Sequence, residues 1–159
     1  MNYRNAVLND IPKLSELRVY MLNDEKTYSN KFNKLLLDNT EQFLIDGFEN
    51  KNIDIIVALD NHEIIAMGCV NYFCFPPNDW CPSGKTAYIG NMFTCIDYRK
   101  RGIATKILNL LVEKAKNRNC ERILLNTSEM GKELYKNIGF DFSPTAMAFF
   151  PFGIIPDNG

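Results

Sequence analysis

Apolar positions along the chain alternate between the spacing of strands and the spacing of helices. Residues 3–7 are typical of a short first strand. Asp10 is then placed to cap a helix, and Pro12 suits the first turn of that helix. The helix has an apolar stripe at helical spacing, formed by Ile11, Leu14, Leu17 and Met21. The chain is therefore predicted to begin as a strand followed by an amphipathic helix.

A polar stretch at residues 23–39 separates this helix from the next and has no clear hydrophobic period. Residues 39–42 resemble a capping box, because Gln42 stands three positions after Asn39. This motif predicts a second helix that begins there and ends near residues 47–50.

Three consecutive strands are predicted in the middle of the chain. Residues 53–59 are an apolar, β-branched run, and the turn at residues 60–62 makes residues 63–73 their hairpin partner. The third strand covers residues 86–96. The loop before it, residues 74–85, is broken by prolines and a glycine.

Two interpretations of the loop at residues 74–85 stay open at this stage. Because Phe75 and Trp80 lie on it, the loop is a suitable wall for a small-substrate pocket. The same composition also suits a proline-stiffened hairpin in which Trp80 fills one edge of the core.

The last third of the chain returns to single helices between strands. A regular apolar stripe predicts a helix over residues 104–118, while Ser128 and Gly139 are suited to begin and end another. The remaining strands are predicted at residues 121–127, from residue 140 to 143, and at residues 145–150. Strands before and after single helices, together with one hairpin, indicate an α/β fold with a sheet of mixed direction.

Composition adds limits to this picture. A chain of 159 residues with 46% hydrophobic residues fits one domain, residues 1–159. A net charge of −1 argues against a nucleic-acid-binding protein. No apolar run reaches the roughly 18–20 residues needed to cross a bilayer. The start of the chain lacks the charged-then-apolar layout of a signal peptide, because Asn9, Asp10 and Lys13 interrupt it early. We therefore expect no membrane partner and a cytoplasmic location.

Metal chemistry is poorly supported by the cysteine and histidine pattern. The only histidine, His62, falls in a predicted turn. No Cys-x-x-Cys spacing occurs among the five cysteines, which are Cys69, Cys74, Cys81, Cys95 and Cys120. We expect no metal site and free, mostly buried thiols in a reducing compartment.

A basic turn of six residues stands where the strand at residues 86–96 passes into the next helix: Arg99, Lys100, Arg101, Gly102, Ile103 and Ala104. Amides in the first turn of a helix have no intrahelical acceptors and carry the positive end of the helix dipole, so they bind anions. Gly102 allows close backbone approach. A pyrophosphate site is one interpretation; a solvated basic turn is the other.

The motif Arg99-x-x-Gly102-x-Ala104 resembles the Gln/Arg-x-x-Gly-x-Gly/Ala signature of the GNAT superfamily of acetyl-CoA-dependent N-acetyltransferases. A second GNAT signature, Leu-Tyr-x-x-x-Gly-Phe, is similar to residues 134–140. The start of the chain, residues 3–18, also looks like a GNAT amino terminus. Two signatures in the family's order are more specific than either alone, and the resemblance covers nearly the whole chain.

The resemblance implies a mixed, mostly antiparallel central sheet of about six or seven strands, flanked by about four helices. It implies acetyl-CoA as cosubstrate, with its pantetheine arm on the backbone of Met92, Phe93 and Thr94. Ser128 stands where many relatives have an asparagine that touches pantetheine. The basic turn, extended by one residue, would bind the pyrophosphate through Arg99, Lys100, Arg101, Gly102, Ile103, Ala104 and Thr105.

Tyr135 is the catalytic residue that the resemblance implies, as the general acid that protonates the departing sulfur. Its alternative role is packing against the cofactor. No general base is identified: Asp97, Glu25, or a water held by Asn91 or Asn126 are candidates, and an amine of low pKa would need none. Cys95 as an acetylated nucleophile is rejected, because direct transfer is the family norm.

The implied activity is acetyl transfer to a primary amine of a small molecule or peptide. The alternative is an acyl-CoA-binding or sensor module without catalysis, which the missing strand carboxylate keeps open. The acceptor is not readable from the sequence. Because GNAT proteins often dimerise, a homodimer is also expected.

Overall fold

The computed structural model describes residues 1–143 and 150–151. Its five strands are β1 (Asn2–Asn5), β2 (Ile53–Asp60), β3 (Glu63–Cys74), β4 (Lys85–Thr94) and β5 (Arg122–Leu125). Its α-helices are α1 (Ile11–Glu25), α2 (Asn30–Glu49), α3 (Ile103–Asn117) and α4 (Lys132–Ile138).

The sheet follows chain order, β1-β2-β3-β4-β5. The first three junctions are antiparallel and the last, between β4 and β5, is parallel. The prediction of a mixed, mostly antiparallel sheet with four helices is confirmed. The described residues contain five strands, slightly fewer than the six or seven predicted.

The carboxyl-terminal strands account for this difference. Residues 140–143 are irregular, and the Asp141 carboxylate accepts a hydrogen bond from the Phe142 N–H at 2.8 Å. That local bond is typical of turns and competes with a ladder. The strand expected at residues 145–150 lies, except for its last residue, outside the described residues.

Helix α2 begins well before the predicted capping box at residues 39–42. Ser29 is its N-cap, and the Ser29 side chain accepts from the Phe32 N–H at 3.2 Å. Inside the helix, the Thr40 hydroxyl donates to the Leu36 carbonyl at 2.6 Å. Polar side chains that can cap a helix can also bond back to the preceding turn, so the capping-box prediction was wrong.

Two further helix starts differ in detail from the predictions. Asp10 precedes α1, but its carboxylate binds the Arg4 guanidinium at 2.6 and 2.9 Å and the Val7 N–H at 2.8 Å instead of capping the helix. Ser128 precedes a short 3-10 turn, Glu129–Gly131, and α4 begins only after it.

Each face of the sheet packs against helices. On one face, the apolar stripe of α3 covers the strands with Ile107, Leu108, Leu111 and Ala115. On the other, Leu14 and Leu17 of α1 and Leu44 of α2 pack over Val57 and Met67. This burial of apolar area fixes α1 and α3 on opposite sides of β4.

The loop between β3 and β4 is a hairpin that takes neither predicted role. Trp80 is 85% exposed, whereas Cys81 next to it is fully buried. Gly84 has φ +72°, and a Cβ there would lie 2.1 Å from the Phe75 carbonyl oxygen. Thus a cysteine, and not the tryptophan, fills this part of the core.

Within the described ranges, none of the helices combines the length and apolarity required to cross a bilayer.

Candidate functional site

Strand β4 carries a bulge near its carboxyl end. Cys69 of β3 pairs with Gly90, and Met67 pairs with Phe93, so Asn91 and Met92 together stand opposite Gly68. Asn91 has φ +52°, in the left-handed region. Bulges of this kind often occur beside active sites, because they redirect the strand.

Past the bulge, β4 and β5 separate. Their parallel pairing ends at Ile89 and Leu125. Beyond that pair lies the central cavity, of about 730 Å³, bounded by α1, β4, the basic turn, the segment after β5, and α4. It is the natural place for an elongated ligand, because no strand of the described residues pairs with β4 on that side there.

The basic turn lies at one end of the central cavity. Lys100 and Gly102 have φ +61° and +76°, so both are left-handed. The first hydrogen bond of α3 runs from the Lys106 N–H to the Gly102 carbonyl at 3.0 Å. Among the described residues, none accepts from the amides of residues 103–105, which point their positive dipole end at the cavity.

The arginines of the basic turn are committed to protein contacts. Arg99 donates through Nε to the Thr94 carbonyl at 3.1 Å and through Nη2 to the Asp24 carboxylate at 2.7 Å. Arg101 donates to the Asp97 carbonyl at 2.8 Å and covers the Tyr98 ring at 5.2 Å. Within the basic turn, Lys100 is the cation of the cavity wall for which the described residues provide no partner.

Tyr135 lines the cavity from α4 and is 9% exposed. Burial raises the pKa of its phenol, and Tyr88 nearby raises it further. Gly131 lies directly against the ring: a Cβ there would be 2.9 Å from Tyr135 Cε2. The phenol is therefore protonated at neutral pH and held in place by close packing.

Ten of the eleven predicted cofactor contacts line the central cavity, together with the predicted catalytic residue Tyr135. These contacts are Met92, Phe93, Thr94, Arg99, Lys100, Gly102, Ile103, Ala104, Thr105 and Ser128. Arg101 does not line it. The side chains of Met92 and Phe93 pack into the two opposite cores, so these residues can offer the cavity mainly backbone groups.

The candidate bases are distributed unevenly. Asn91 and Asn126 line the cavity, whereas Asp97 does not. The side chain of Glu25 lies outside the described part of the structure. Among described carboxylates, Asp24 alone lines the cavity, and it is paired with Arg99.

Cys95 also lies outside the cavity lining, and burial raises the pKa of its thiol. No group of three or more metal-ligating side chains occurs in residues 1–143 and 150–151.

Sequence reasoning missed three polar side chains in the described cavity lining, Arg18, Tyr88 and Tyr98. Tyr88 stands two residues before Gly90 on β4, so both face α1, as does Cys69, the partner of Gly90. Arg18 follows Leu17 of the apolar stripe. A charged residue at the edge of a buried helix face was the available signal.

Comparisons with known proteins agree with this geometry. A model of the acetyltransferase (GNAT) family matches residues 18–140. The structure is similar to that of a predicted acetyltransferase from Clostridium acetobutylicum, solved with acetyl-CoA, with 33% identity, a TM-score of 0.85, and coverage of 94% of this chain and 95% of that one.

Two more distant structures share the fold alone. One is a GCN5-related N-acetyltransferase from Ralstonia eutropha, with 20% identity, a TM-score of 0.84, and coverage of 93% of this chain and 96% of that one. The other is an aminoglycoside 6'-N-acetyltransferase from Acinetobacter haemolyticus, with 17% identity, a TM-score of 0.71, and coverage of 94% and 97%. A search of curated proteins found no match.

Proposed function

The chain belongs to the acetyltransferase (GNAT) family, and we propose that it transfers the acetyl group of acetyl-CoA directly to a primary amine of a small molecule or peptide. The proposed catalytic unit is a single domain, residues 1–159. The observation that carries the proposal is the central cavity, which is lined by the basic turn with its unpaired amides, by the β4 bulge and by Tyr135.

The residues present fit acetyl-CoA. A Cβ built on Gly102 meets no atom within 4 Å, so the start of α3 is open to a ligand. The unpaired amides of residues 103–105 and the Lys100 ammonium are suited to a pyrophosphate. The relative from C. acetobutylicum that was solved with acetyl-CoA supports the same assignment.

The pantetheine arm would lie along β4, where the strand has lost its pairing with β5. Met92, Phe93 and Thr94 would hold it through backbone groups, as an added strand is held. The Thr94 carbonyl already accepts from Arg99, so the N–H is the group that Thr94 has left to donate. Ser128 would face the arm from the opposite side of the cavity.

When bound, acetyl-CoA supplies an activated thioester carbon and a thiol leaving group. Tyr135 is the proposed general acid, which gives its Oη proton to the departing sulfur. Its raised pKa supports this role, because the phenol keeps its proton until it is needed. A backbone N–H near Thr94 is the proposed donor to the thioester oxygen.

No dedicated base is part of the proposal. The described cavity lining contains a single carboxylate, Asp24, which is held by Arg99. The amine would therefore enter neutral or lose its proton to water held at Asn91 or Asn126. The same scarcity of carboxylates favours the second candidate function, a sensor that binds acyl-CoA without consuming it.

The test measures acetyl-CoA consumption across a panel of amines and short peptides, with CoA binding measured by calorimetry. It compares wild type with Tyr135→Phe and with a control, Tyr28→Phe, which removes a phenol outside the cavity lining. Turnover that falls about 100-fold or more in Tyr135→Phe alone, with binding intact, is the expected result. Binding without turnover on any amine would favour the sensor.

The cytoplasmic location and the homodimer stay predictions. Cell fractionation and light scattering would check them.

A further inference from the structure

Arg18 lies in the part of the central cavity away from the basic turn. Helix α1 delivers Asp24 to Arg99 in that turn, and Arg18 stands about 9 Å back along the helix axis, at a rise of about 1.5 Å per residue. Its electrostatic neighbours are Tyr88 and Cys69, beside the start of the bulge. Tyr88 at this end of the cavity is also an electrostatic neighbour of Tyr135.

In the described part of the chain, the Arg18 guanidinium has one weak partner. Its Nη1 donates to the Met21 thioether sulfur at 4.0 Å, which is a weak interaction. Among the described residues, no carboxylate lies within 4.0 Å of it. Burial lowers the pKa of Arg18 from its ordinary value, but a guanidinium stays charged in proteins, so its remaining N–H donors are available to a ligand in the cavity that it lines.

The charge balance around Arg18 points the same way. Asp24, the single described carboxylate of the lining, is neutralised by Arg99 at 2.7 Å. A half-buried cation to which the described residues supply no counter-charge costs free energy, and a ligand anion recovers it. A polycationic amine would instead meet uncompensated repulsion.

We propose that the acceptor is an amine that also carries a carboxylate, such as an amino acid or a short peptide with a free carboxyl end, and that Arg18 binds this carboxylate. The inference rests on the proposed function and names its substrate class. A carboxylate suits the site because the planar guanidinium fork donates two parallel N–H···O hydrogen bonds to its two oxygens. Arg18 is thereby a specificity-determining residue, whereas Tyr135 is assigned the chemistry.

Matched amine pairs test the proposal. β-Alanine is compared with ethylamine, L-phenylalanine with phenethylamine, and L-lysine with cadaverine, because each second member lacks only the carboxylate. In wild type, we expect kcat/KM for the best carboxylate member to exceed that of its partner by about 10- to 100-fold. O-Phosphoethanolamine, as a phosphate-bearing amine, should be the poorer anionic substrate.

The variants are Arg18→Met, Arg18→Lys and a control, Lys13→Met, which removes a charge from the exposed side of the same helix. Arg18→Met should abolish the preference mainly through KM, Arg18→Lys should keep part of it, and Lys13→Met should leave it unchanged. Equal kcat/KM for both members of every pair in wild type, or a preference unaffected by Arg18→Met, would overturn the proposal, as would a preference for phosphate.

A binding measurement separates this inference from the proposed function. N-acetyl-β-alanine and N-ethylacetamide are titrated into wild type and Arg18→Met in the presence of CoA. Binding of the carboxylate compound that depends on Arg18, without turnover of any amine, would uphold the anion site and reject the acetyltransferase. Equal affinity of wild type and Arg18→Met for N-acetyl-β-alanine would reject the anion site, whether or not any amine is turned over.

Discussion

Arg99 and Asp24 are joined in the wall of the central cavity, Nη2 to Oδ2 at 2.7 Å, although 75 positions separate them in the sequence. The signature arginine therefore uses its side chain to tie the basic turn to the end of α1, and its Nε fastens the turn to Thr94. The Arg99 charge next to the unpaired amides is already balanced by Asp24, so a phosphate ligand would compete with Asp24 for Arg99.

Asp24→Asn should release Arg99 and tighten acetyl-CoA binding several-fold, because a negative charge leaves the cavity and a cation becomes available. Both side chains are about one-third exposed, so stability should change by less than about 1 kcal/mol. Asp38→Asn, which breaks an exposed pair with Lys34, is the control. Weaker binding in Asp24→Asn would mean that the carboxylate orients Arg99 for the ligand.

Gly131→Ala should reduce kcat about tenfold or more without unfolding the protein. The new Cβ would lie 2.9 Å from both Tyr135 Cε2 and Thr127 Oγ1, so the Tyr135 ring must shift. A double variant with Tyr135→Phe provides the check on mechanism. If Gly131 acts through Tyr135, the double variant is no slower than Tyr135→Phe alone; additive losses would contradict this route.

The pH dependence of the Tyr135 effect follows from the raised pKa of its phenol. A general acid works while it is protonated, and loses activity as the pH rises through its pKa, here above the ordinary value of about 10. The ratio of wild-type to Tyr135→Phe kcat should thus be constant from about pH 7 to 9.5. Stopped assays in a single buffer series measure it. A ratio that falls within that range would contradict the raised pKa, because it would mean that Tyr135 loses its proton below pH 9.5.

Asp10→Asn should lower stability at neutral pH by about 1 kcal/mol, with little effect in acid. The Arg4 guanidinium, and secondarily the Val7 N–H, hold the pKa of the Asp10 carboxyl below its usual value. Because the pKa of Asp10 is lower in the folded state, its carboxylate stabilises the fold at pH values above the unfolded-state pKa of about 3.9. That stabilisation is lost as the pH falls through the folded-state pKa.

Urea unfolding at pH 7 and near pH 2.5 measures the Asp10 contribution. Asp79→Asn, in the exposed β3–β4 loop, serves as its control. An Asp10→Asn deficit that persists unchanged at the lower pH would contradict the linkage.

Gly68→Ala should destabilise the fold by about 1–3 kcal/mol. A Cβ at Gly68 would lie 2.6 Å from Ile107 Cγ2 and from Met92 Sδ, where α3 packs against the bulge. Gly102→Ala is the matched comparison, because its Cβ meets nothing within 4 Å and only the φ of +76° is strained. In thermal unfolding, the Tm of Gly68→Ala should be well below that of Gly102→Ala. Equal decreases in Tm would show that α3 can move aside.

The sequence located those parts of the site that lie within one local segment. The basic turn and Tyr135 belong to motifs whose residues are neighbours in a turn or a helix, so spacing alone places them. Arg18 with Tyr88 and Asp24 with Arg99 come together only through the packing of α1 on β4, which no local pattern reports. The role of Cys81 in the core was hidden for the same reason.

The start of α2 shows a different limit. Ser29 and Asn39 are both good capping residues, and N-cap preferences alone do not show which of them begins the helix. Tertiary contacts decide: near the start of α2, Asn33 is hydrogen-bonded to Asn23 of α1 at 2.8 Å, while Leu44 nearer its end packs in the core.

The separation of β4 and β5 affects how readily β5 and the segment after it open locally. β5 is joined to the sheet by four residue pairs, against eight between β3 and β4, and the segment that follows it carries Tyr135. Amide hydrogens of β5 and α4 should exchange with solvent faster than those of β2 and β3. A ligand lying between β4 and the segment after β5 would slow that exchange, so Tyr135, the proposed general acid, would be most firmly anchored when the cosubstrate is present.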